Sequence, residues 1–218
     1  MLLLYGIDQR LVLAGFESLS PPDSRQTSLE AFLVSAAVVA IGEIGDKTQL
    51  LALLLAARFR RPLPLIAGIF AATLLNHAIA AALGGWIRSA LGPEVLRWGL
   101  GISFLAIAAW ALNPDKLDDA PPEAVGRYGV FALTFVAFFL AEIGDKTQLA
   151  TVALAARFDS LIAVVAGTTA GMLIADVPAA LLGSKASLKI PLKAVRYVAA
   201  ALFAAMGVAV LAGFNFAG

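Results

Sequence analysis

Six long runs of apolar residues, separated by short polar segments, dominate the pattern of the 218-residue chain. A helix needs about 20 mostly apolar residues to cross roughly 30 Å of hydrocarbon. The pattern therefore predicts an all-α integral membrane protein with six transmembrane helices. The predicted spans are Leu29–Ala57, Leu63–Ile87, Val95–Leu112, Tyr128–Ala156, Leu161–Gly183 and Leu192–Phe216.

Two polar segments flank or divide these spans. Residues 1–28 have no positively charged start, and Asp8 and Arg10 interrupt their apolar run, so they predict an interfacial tail rather than a signal peptide. Residues 113–127, "NPDKLDDAPPEAVGR", are acidic and contain prolines, which is typical of a linker.

The two parts of the chain joined by this linker repeat each other. "EIGDKTQLLALLLAARF" begins at Glu43 and "EIGDKTQLATVALAARF" begins 99 residues later at Glu142, with 13 of 17 positions identical. Residues 29–112 and 128–218 are thus predicted to be two three-helix repeats. Because three is odd, the second repeat enters the membrane from the opposite side. Such inverted-topology repeats occur in secondary transporters, whose substrate sites lie where the repeats meet.

The composition of the chain argues against some partners and some kinds of metal site. The chain is 61% hydrophobic and 14% charged, with a net charge of +1, so no basic surface predicts a nucleic-acid partner. It contains no cysteine and one histidine, His77, which argues against thiolate sites and against histidine-rich zinc or copper sites.

Each repeated motif places several polar side chains inside a predicted span. On a continuous helix, Glu43, Asp46 and Lys47 fall on one face about 100° wide, and Thr48 points away from Glu43. Glu43 and Lys47 also have the i,i+4 spacing of a helical ion pair. Glycine in mid-helix is unfavourable, so Gly45 and Gly144 could unwind the chain and free carbonyl groups for an ion.

Four carboxylates face only two lysines in the doubled motif, which leaves a formal charge of −2. Each charge at the centre of a membrane costs at least about 2.5–3.5 kcal/mol on insertion scales, so a purely structural role explains the cluster poorly. Oxygen ligands suit one hard divalent cation or two protons. The predicted metal ligands are Glu43, Asp46, Glu142 and Asp145, with Gln49 and Gln148 as auxiliary ligands.

The other polar residues of the predicted spans are expected to support the cation site. Lys47 and Lys146 are expected to pair with the acids and hold the site closed without cation. Thr48, Thr147, Asn76, His77 and Asp176 are expected to be auxiliary ligands or proton relays, although Asn76, His77 and Asp176 could equally make polar contacts between helices. Repulsion between clustered carboxylates favours proton uptake once the cation leaves, which predicts cation/proton exchange.

The motifs "EIGDKT" at Glu43 and at Glu142 resemble the doubled signature of the GDT family of Mn²⁺/Ca²⁺ transporters over about residues 29–216. The resemblance implies a cation/proton exchanger, and its bacterial members imply Mn²⁺ export across an inner membrane. The expected partners are the transported divalent cation, protons and the lipid bilayer; no permanently bound cofactor is expected, and a homodimer is left open.

The loops on one side of the predicted spans contain nine lysines and arginines, and those on the other side contain five. Because the cytoplasmic side usually has more of these residues, both termini are predicted to lie on the non-cytoplasmic side.

Three alternatives stay open at this point. A Ca²⁺/H⁺ antiporter would use the same ligands, since Mn²⁺ and Ca²⁺ both prefer oxygen. An intramembrane metal-dependent hydrolase would use Glu43 or Glu142 as a general base, but two nearly identical motifs fit different acid and base roles poorly. A passive cation channel would lack proton coupling.

Overall fold

A computed structural model describes residues 24–113, 129–182 and 192–213, and these ranges contain helices and turns but no strand. Their eight helices are α1 Ser24–Glu43, α2 Lys47–Phe59, α3 Pro62–Ala90, α4 Pro93–Ala111, α5 Gly129–Glu142, α6 Lys146–Arg157, α7 Leu161–Leu182 and α8 Leu192–Leu211. The helix α1 begins inside the predicted tail. The rest of that tail and nearly all of the predicted linker lie outside the described residues.

The helices have the length and composition of a membrane protein. Helices α3, α4 and α7 are each long and apolar enough to cross a bilayer, and Ser28–Glu43 with α2 forms a fourth candidate span if a 70° bend is allowed. Helix α5 and the Tyr197–Leu211 part of α8 are apolar but shorter. The prediction of an all-α membrane protein is confirmed, and three to four of the six predicted spans satisfy this test.

The continuous helices that the sequence predicted for Leu29–Ala57 and Tyr128–Ala156 are wrong. Helix α1 ends at Glu43 and α2 begins at Lys47, while α5 ends at Glu142 and α6 begins at Lys146. The cause is local: Gly45 and Gly144 have φ of 80° and 74°, a conformation that ends helices and favours glycine. The unwinding expected from these two glycines is therefore present in both repeats.

The first helix of each repeat packs against the third helical segment of the other repeat, α1 on α7 and α5 on α3. At one crossing Gly167 lies against the carbonyl of Phe32; at the other, Gly68 lies against the carbonyl of Phe131. These two contacts are equivalent under the 99-residue offset. A side chain at either glycine would meet backbone, so the close approach of the helices requires the missing Cβ.

The other helices enclose this centre. Helix α4 packs against α8, with the Phe104 and Phe203 rings stacked 6.5 Å apart. Helix α3 also packs against α6, and α7 against α2. Each broken helix is thereby held chiefly by the long helix of the opposite repeat, which fixes the position of the polar residues at the breaks.

We expect Gly167→Ala to destabilise the fold, because the added methyl group would collide with the Phe32 backbone. Overpacking of this kind costs about 1–3 kcal/mol. Gly99→Ala is the matched control, since Gly99 lies in α4 with open space around it. Thermal unfolding of the purified proteins in detergent, followed by size-exclusion chromatography, measures the difference. Equal unfolding temperatures for the two variants would refute the close-packing argument.

Candidate cation site

The two helix breaks have the same local structure. The Asp46 amide donates to the Glu43 carbonyl at 3.0 Å, and the Asp145 amide donates to the Glu142 carbonyl at 3.1 Å. Each aspartate has extended backbone angles and occupies the N-cap of the following helix. Aspartate is favoured at that position because its carboxylate complements the positive end of the helix dipole. The turn thus places a glutamate and an aspartate on either side of each break.

All four motif carboxylates are buried, and acids of both repeats meet. Glu43 and Glu142 are fully buried, and Asp46 and Asp145 are at most 2% exposed. One oxygen each from Glu43, Asp46 and Asp145 lies within 4.8 Å of the other two. Glu142 is buried beside its own motif but does not belong to this triplet. Three carboxylates at this separation form a group that a single cation could bind.

Threonine hydroxyls hold the two glutamates. Thr48 Oγ1 donates to Glu43 Oε2 at 2.7 Å, and Thr147 Oγ1 lies 3.3 Å from Glu142 Oε2. The prediction that Thr48 points away from Glu43 is therefore wrong. It assumed one continuous helix, whereas the break turns the chain so that Thr48 faces back towards the glutamate.

The lysines pair across the repeats. Lys47 Nζ lies 2.9 Å from Asp145 Oδ1, and Lys146 Nζ lies 2.5 Å from Asp46 Oδ1. The predicted ion pair between Glu43 and Lys47 is wrong, because the two residues lie on different helices and lose the i,i+4 geometry. The two pairs differ in burial, since the Lys47 side chain is 23% exposed and that of Lys146 only 6%.

The glutamines make equivalent contacts within the breaks. Gln49 Oε1 accepts from the Gly45 amide at 2.9 Å, and Gln148 Oε1 accepts from the Gly144 amide at 2.7 Å. Each amide nitrogen then reaches the opposite repeat. Gln49 Nε2 donates to the Ala175 carbonyl at 3.0 Å, and Gln148 Nε2 donates to Asn76 Oδ1 at 3.2 Å.

Helices α3 and α7 bring three further polar side chains next to the breaks. Asn76 is buried and donates to the Phe139 carbonyl at 3.1 Å. His77 and Asp176 occupy equivalent positions in the two repeats, and both are fully buried. Neither ring nitrogen of His77 and neither carboxylate oxygen of Asp176 has a hydrogen-bond partner among the described residues. Asp176 lies near Glu43 and Glu142.

The arrangement leaves acceptor atoms without donors. Glu43 Oε1 and Glu142 Oε1 are buried and have no hydrogen-bond partner among the described residues. A buried carboxylate oxygen in this situation is unfavourable unless a cation or a proton meets it. The cluster can therefore bind a divalent cation through hard oxygen ligands, or carry protons in its place.

The sequence did not single out some contributors to the polar centre. The carbonyls of Ala175 and Phe139 accept hydrogen bonds, and no sequence signal marks a backbone acceptor. Ser35 and Thr134 are a further pair of fully buried hydroxyl residues at equivalent places in the two repeats, but they lie at the helix crossings, beside Gly167 and Gly68. Aligning the repeats over their whole length would have found this last pair.

The chain belongs to the family described as "Divalent cation/proton antiporter GDT1", whose sequence profile matches residues 31–119 and again residues 130–215. The family predicted from the doubled motif is therefore confirmed. The family is one of membrane transporters of divalent cations, not of enzymes.

Relatives occur in bacteria and plants. The chain is 49% identical over 195 residues to a Vibrio cholerae protein named "Putative manganese exporter", covering 89% of this chain and 96% of that protein. It is 29% identical over 198 residues to a GDT1-like protein of Synechocystis, covering 80% of this chain and 93% of that protein. It is 25% identical over 226 residues to "GDT1-like protein 3" of Oryza sativa, covering 92% and 80%. No solved structure matches the chain.

We expect Lys146→Met to destabilise the protein more than Lys47→Met. Removing one partner of a buried ion pair costs about 3–5 kcal/mol because it leaves a buried charge. Both variants leave a buried aspartate, but the Lys47 side chain is 23% exposed, so solvent can approach Asp145 more easily once that lysine is gone. Thermal unfolding of both variants in detergent measures the order. Adding Asp46→Asn to Lys146→Met should restore part of the loss, since the uncompensated charge disappears. Equal losses for the two lysine variants would contradict this assignment.

Proposed function

We propose that this protein exports Mn²⁺ from the cytoplasm in exchange for protons. The observation that carries the proposal is the meeting of Glu43, Asp46 and Asp145, acids of two repeats, within 4.8 Å inside a membrane protein of an antiporter family. Glu142 completes the set of motif acids. Four carboxylates and two lysines give a formal charge of −2, which one divalent cation or two protons would neutralise.

The choice of Mn²⁺ rests on ligand chemistry and on the relatives. Carboxylate oxygens suit Mn²⁺ and Ca²⁺ alike, and no cysteine is available for softer metals. The Vibrio cholerae relative has the name of a manganese exporter and is 49% identical to this chain. Ca²⁺ is the second candidate, supported by the same oxygen ligands.

The proposal includes an inverted arrangement of the two repeats in the bacterial inner membrane. Its support is the ion pair between Arg88, at the end of α3, and Asp159, which follows α6. This contact brings the loop after the second span of one repeat to the same side as the loop after the first span of the other. This arrangement is expected when the second repeat has the opposite orientation in the membrane. The lysine and arginine distribution then favours termini on the non-cytoplasmic side.

In this mechanism the two lysines couple cation binding to the rearrangement of the repeats. Without cation, Lys47 and Lys146 neutralise Asp145 and Asp46 across the repeat interface. An entering divalent cation competes for the same carboxylates and weakens both ion pairs, which allows the repeats to rearrange. Two protons entering from the other side then replace the two charges of the cation, which keeps the site neutral and allows both lysine–aspartate pairs to form again. His77 and Asp176 would serve as proton relays beside the cluster.

We expect Glu43→Gln and Asp145→Asn to abolish proton-coupled Mn²⁺ transport, because each removes a carboxylate from the triplet. The measurement is Mn²⁺ flux into proteoliposomes under an imposed pH gradient, together with the opposing proton flux. Parallel runs with Ca²⁺, Mg²⁺ and Zn²⁺ determine the preferred cation.

Glu94→Gln is the matched control, because Glu94 is an exposed acid paired with Arg97 on α4, away from the motif. It should transport at the wild-type rate. Normal Mn²⁺ flux through Glu43→Gln would refute the site. Downhill Mn²⁺ flux without any proton movement would instead favour a passive channel.

A further inference from the structure

We propose that Gln49 and Gln148 are positioning residues, each of which fixes its own helix break against the opposite repeat, rather than ligands of the transported cation. The inference deepens the proposed function, since it concerns the same site. It rests on the hydrogen bonds of both glutamines, which are equivalent in the two repeats although the partners across the interface differ.

Both ends of each glutamine amide are already in use. The oxygen, which is the only atom that could ligate a cation, accepts from the glycine amide at the break, at 2.9 Å for Gln49 and 2.7 Å for Gln148. The nitrogen donates across the interface at 3.0 and 3.2 Å. The oxygen keeps a second lone pair, but the two hydrogen bonds fix the plane of the amide. Turning the oxygen towards the motif carboxylates would break its bond at the break.

The glycine amides need these bonds. A helix break leaves amide groups without their usual carbonyl partners, and hydrocarbon offers no replacement. The Gly45 bond is partly buried and the Gly144 bond lies at the surface of the described helices. In a lipid environment an unpaired backbone donor at either place costs about 1–3 kcal/mol. The glutamine oxygen therefore stabilises the turn that aims the glutamate and the aspartate of the same motif.

The second repeat extends this link through a side chain. Gly144 donates to Gln148, Gln148 donates to Asn76, and Asn76 donates to the carbonyl of Phe139, one turn before the break. This chain of three bonds ties both sides of the α5–α6 break to α3 of the first repeat. In the first repeat Gln49 reaches the Ala175 backbone directly, so no side chain corresponds to Asn76.

Gln148 bonds to a side chain across the interface and Gln49 to a backbone carbonyl. This difference between the repeats allows a double-mutant cycle that contains its own control. Gln148→Met and Asn76→Leu keep the approximate side-chain size and remove the hydrogen bonds. Each should lower the maximal rate of Mn²⁺ transport in proteoliposomes by about 10- to 100-fold, as expected for residues that orient ligands. Because the two residues act through one link, the double variant should be no slower than the slower single variant. Gln49→Met combined with Asn76→Leu should instead show multiplied losses, since Gln49 and Asn76 share no bond.

A second measurement does not depend on transport. Hydrogen–deuterium exchange of the peptide containing Gly144 should speed up in both Gln148→Met and Asn76→Leu. It should stay near the wild-type rate in Gln148→Glu, which keeps an oxygen acceptor for the Gly144 amide. These exchange rates also decide the question if wild-type protein transports no Mn²⁺, so a failure of the proposed function is distinguishable from a failure of this inference.

The ligand role makes opposite predictions. If Gln148 bound the cation, Gln148→Met would raise the KM for Mn²⁺ and change the preference between Mn²⁺ and Ca²⁺, while Asn76→Leu would leave both unchanged. Independent, multiplied losses for Gln148→Met and Asn76→Leu, or unaltered exchange at Gly144 in Gln148→Met, would overturn the proposal.

Discussion

Neutralising charge inside a membrane is the constraint on which the centre of this protein depends. A lone charge there costs several kcal/mol, and a buried ion pair recovers that cost only with good geometry and further hydrogen bonds. The protein meets this requirement across its repeats, with Lys47 on Asp145 and Lys146 on Asp46. Each motif thus depends on the other for neutralisation, which gives a physical reason for keeping two nearly identical copies.

The broken helices turn this pairing into a site. Continuous helices would distribute the motif side chains around a helix surface, whereas the breaks at Gly45 and Gly144 bring glutamate, aspartate and threonine to one point. Helix ends within a membrane-spanning segment also expose backbone groups that need partners. The glutamines supply acceptors for the glycine amides, so each motif contains both the glycine that breaks the helix and the glutamine that stabilises the break.

The sequence predicted the membrane class, the repeated motif, the family and the burial of the motif acids. These follow from hydropathy and from internal similarity, which do not depend on local geometry. The side-chain contacts were harder to predict. The i,i+4 spacing suggested an ion pair between Glu43 and Lys47, and the angular positions on a continuous helix placed Thr48 away from Glu43. Both inferences failed for one reason, the loss of helical phase at Gly45. Glycine followed by aspartate, a turn signal and a favoured N-cap, indicates the break, but nothing in one motif shows that its lysine pairs with the other motif.

The crossed ion pairs also affect how the chain is made. Ribosomes deliver the first repeat to the membrane before Asp145 and Lys146 exist, so Lys47 and Asp46 must wait without the partners that neutralise them in the finished protein. During that interval the first repeat contains motif charges that only residues of the second repeat neutralise. Full neutralisation of the motif is therefore a property of the two repeats together and is reached only after the second repeat has been synthesised.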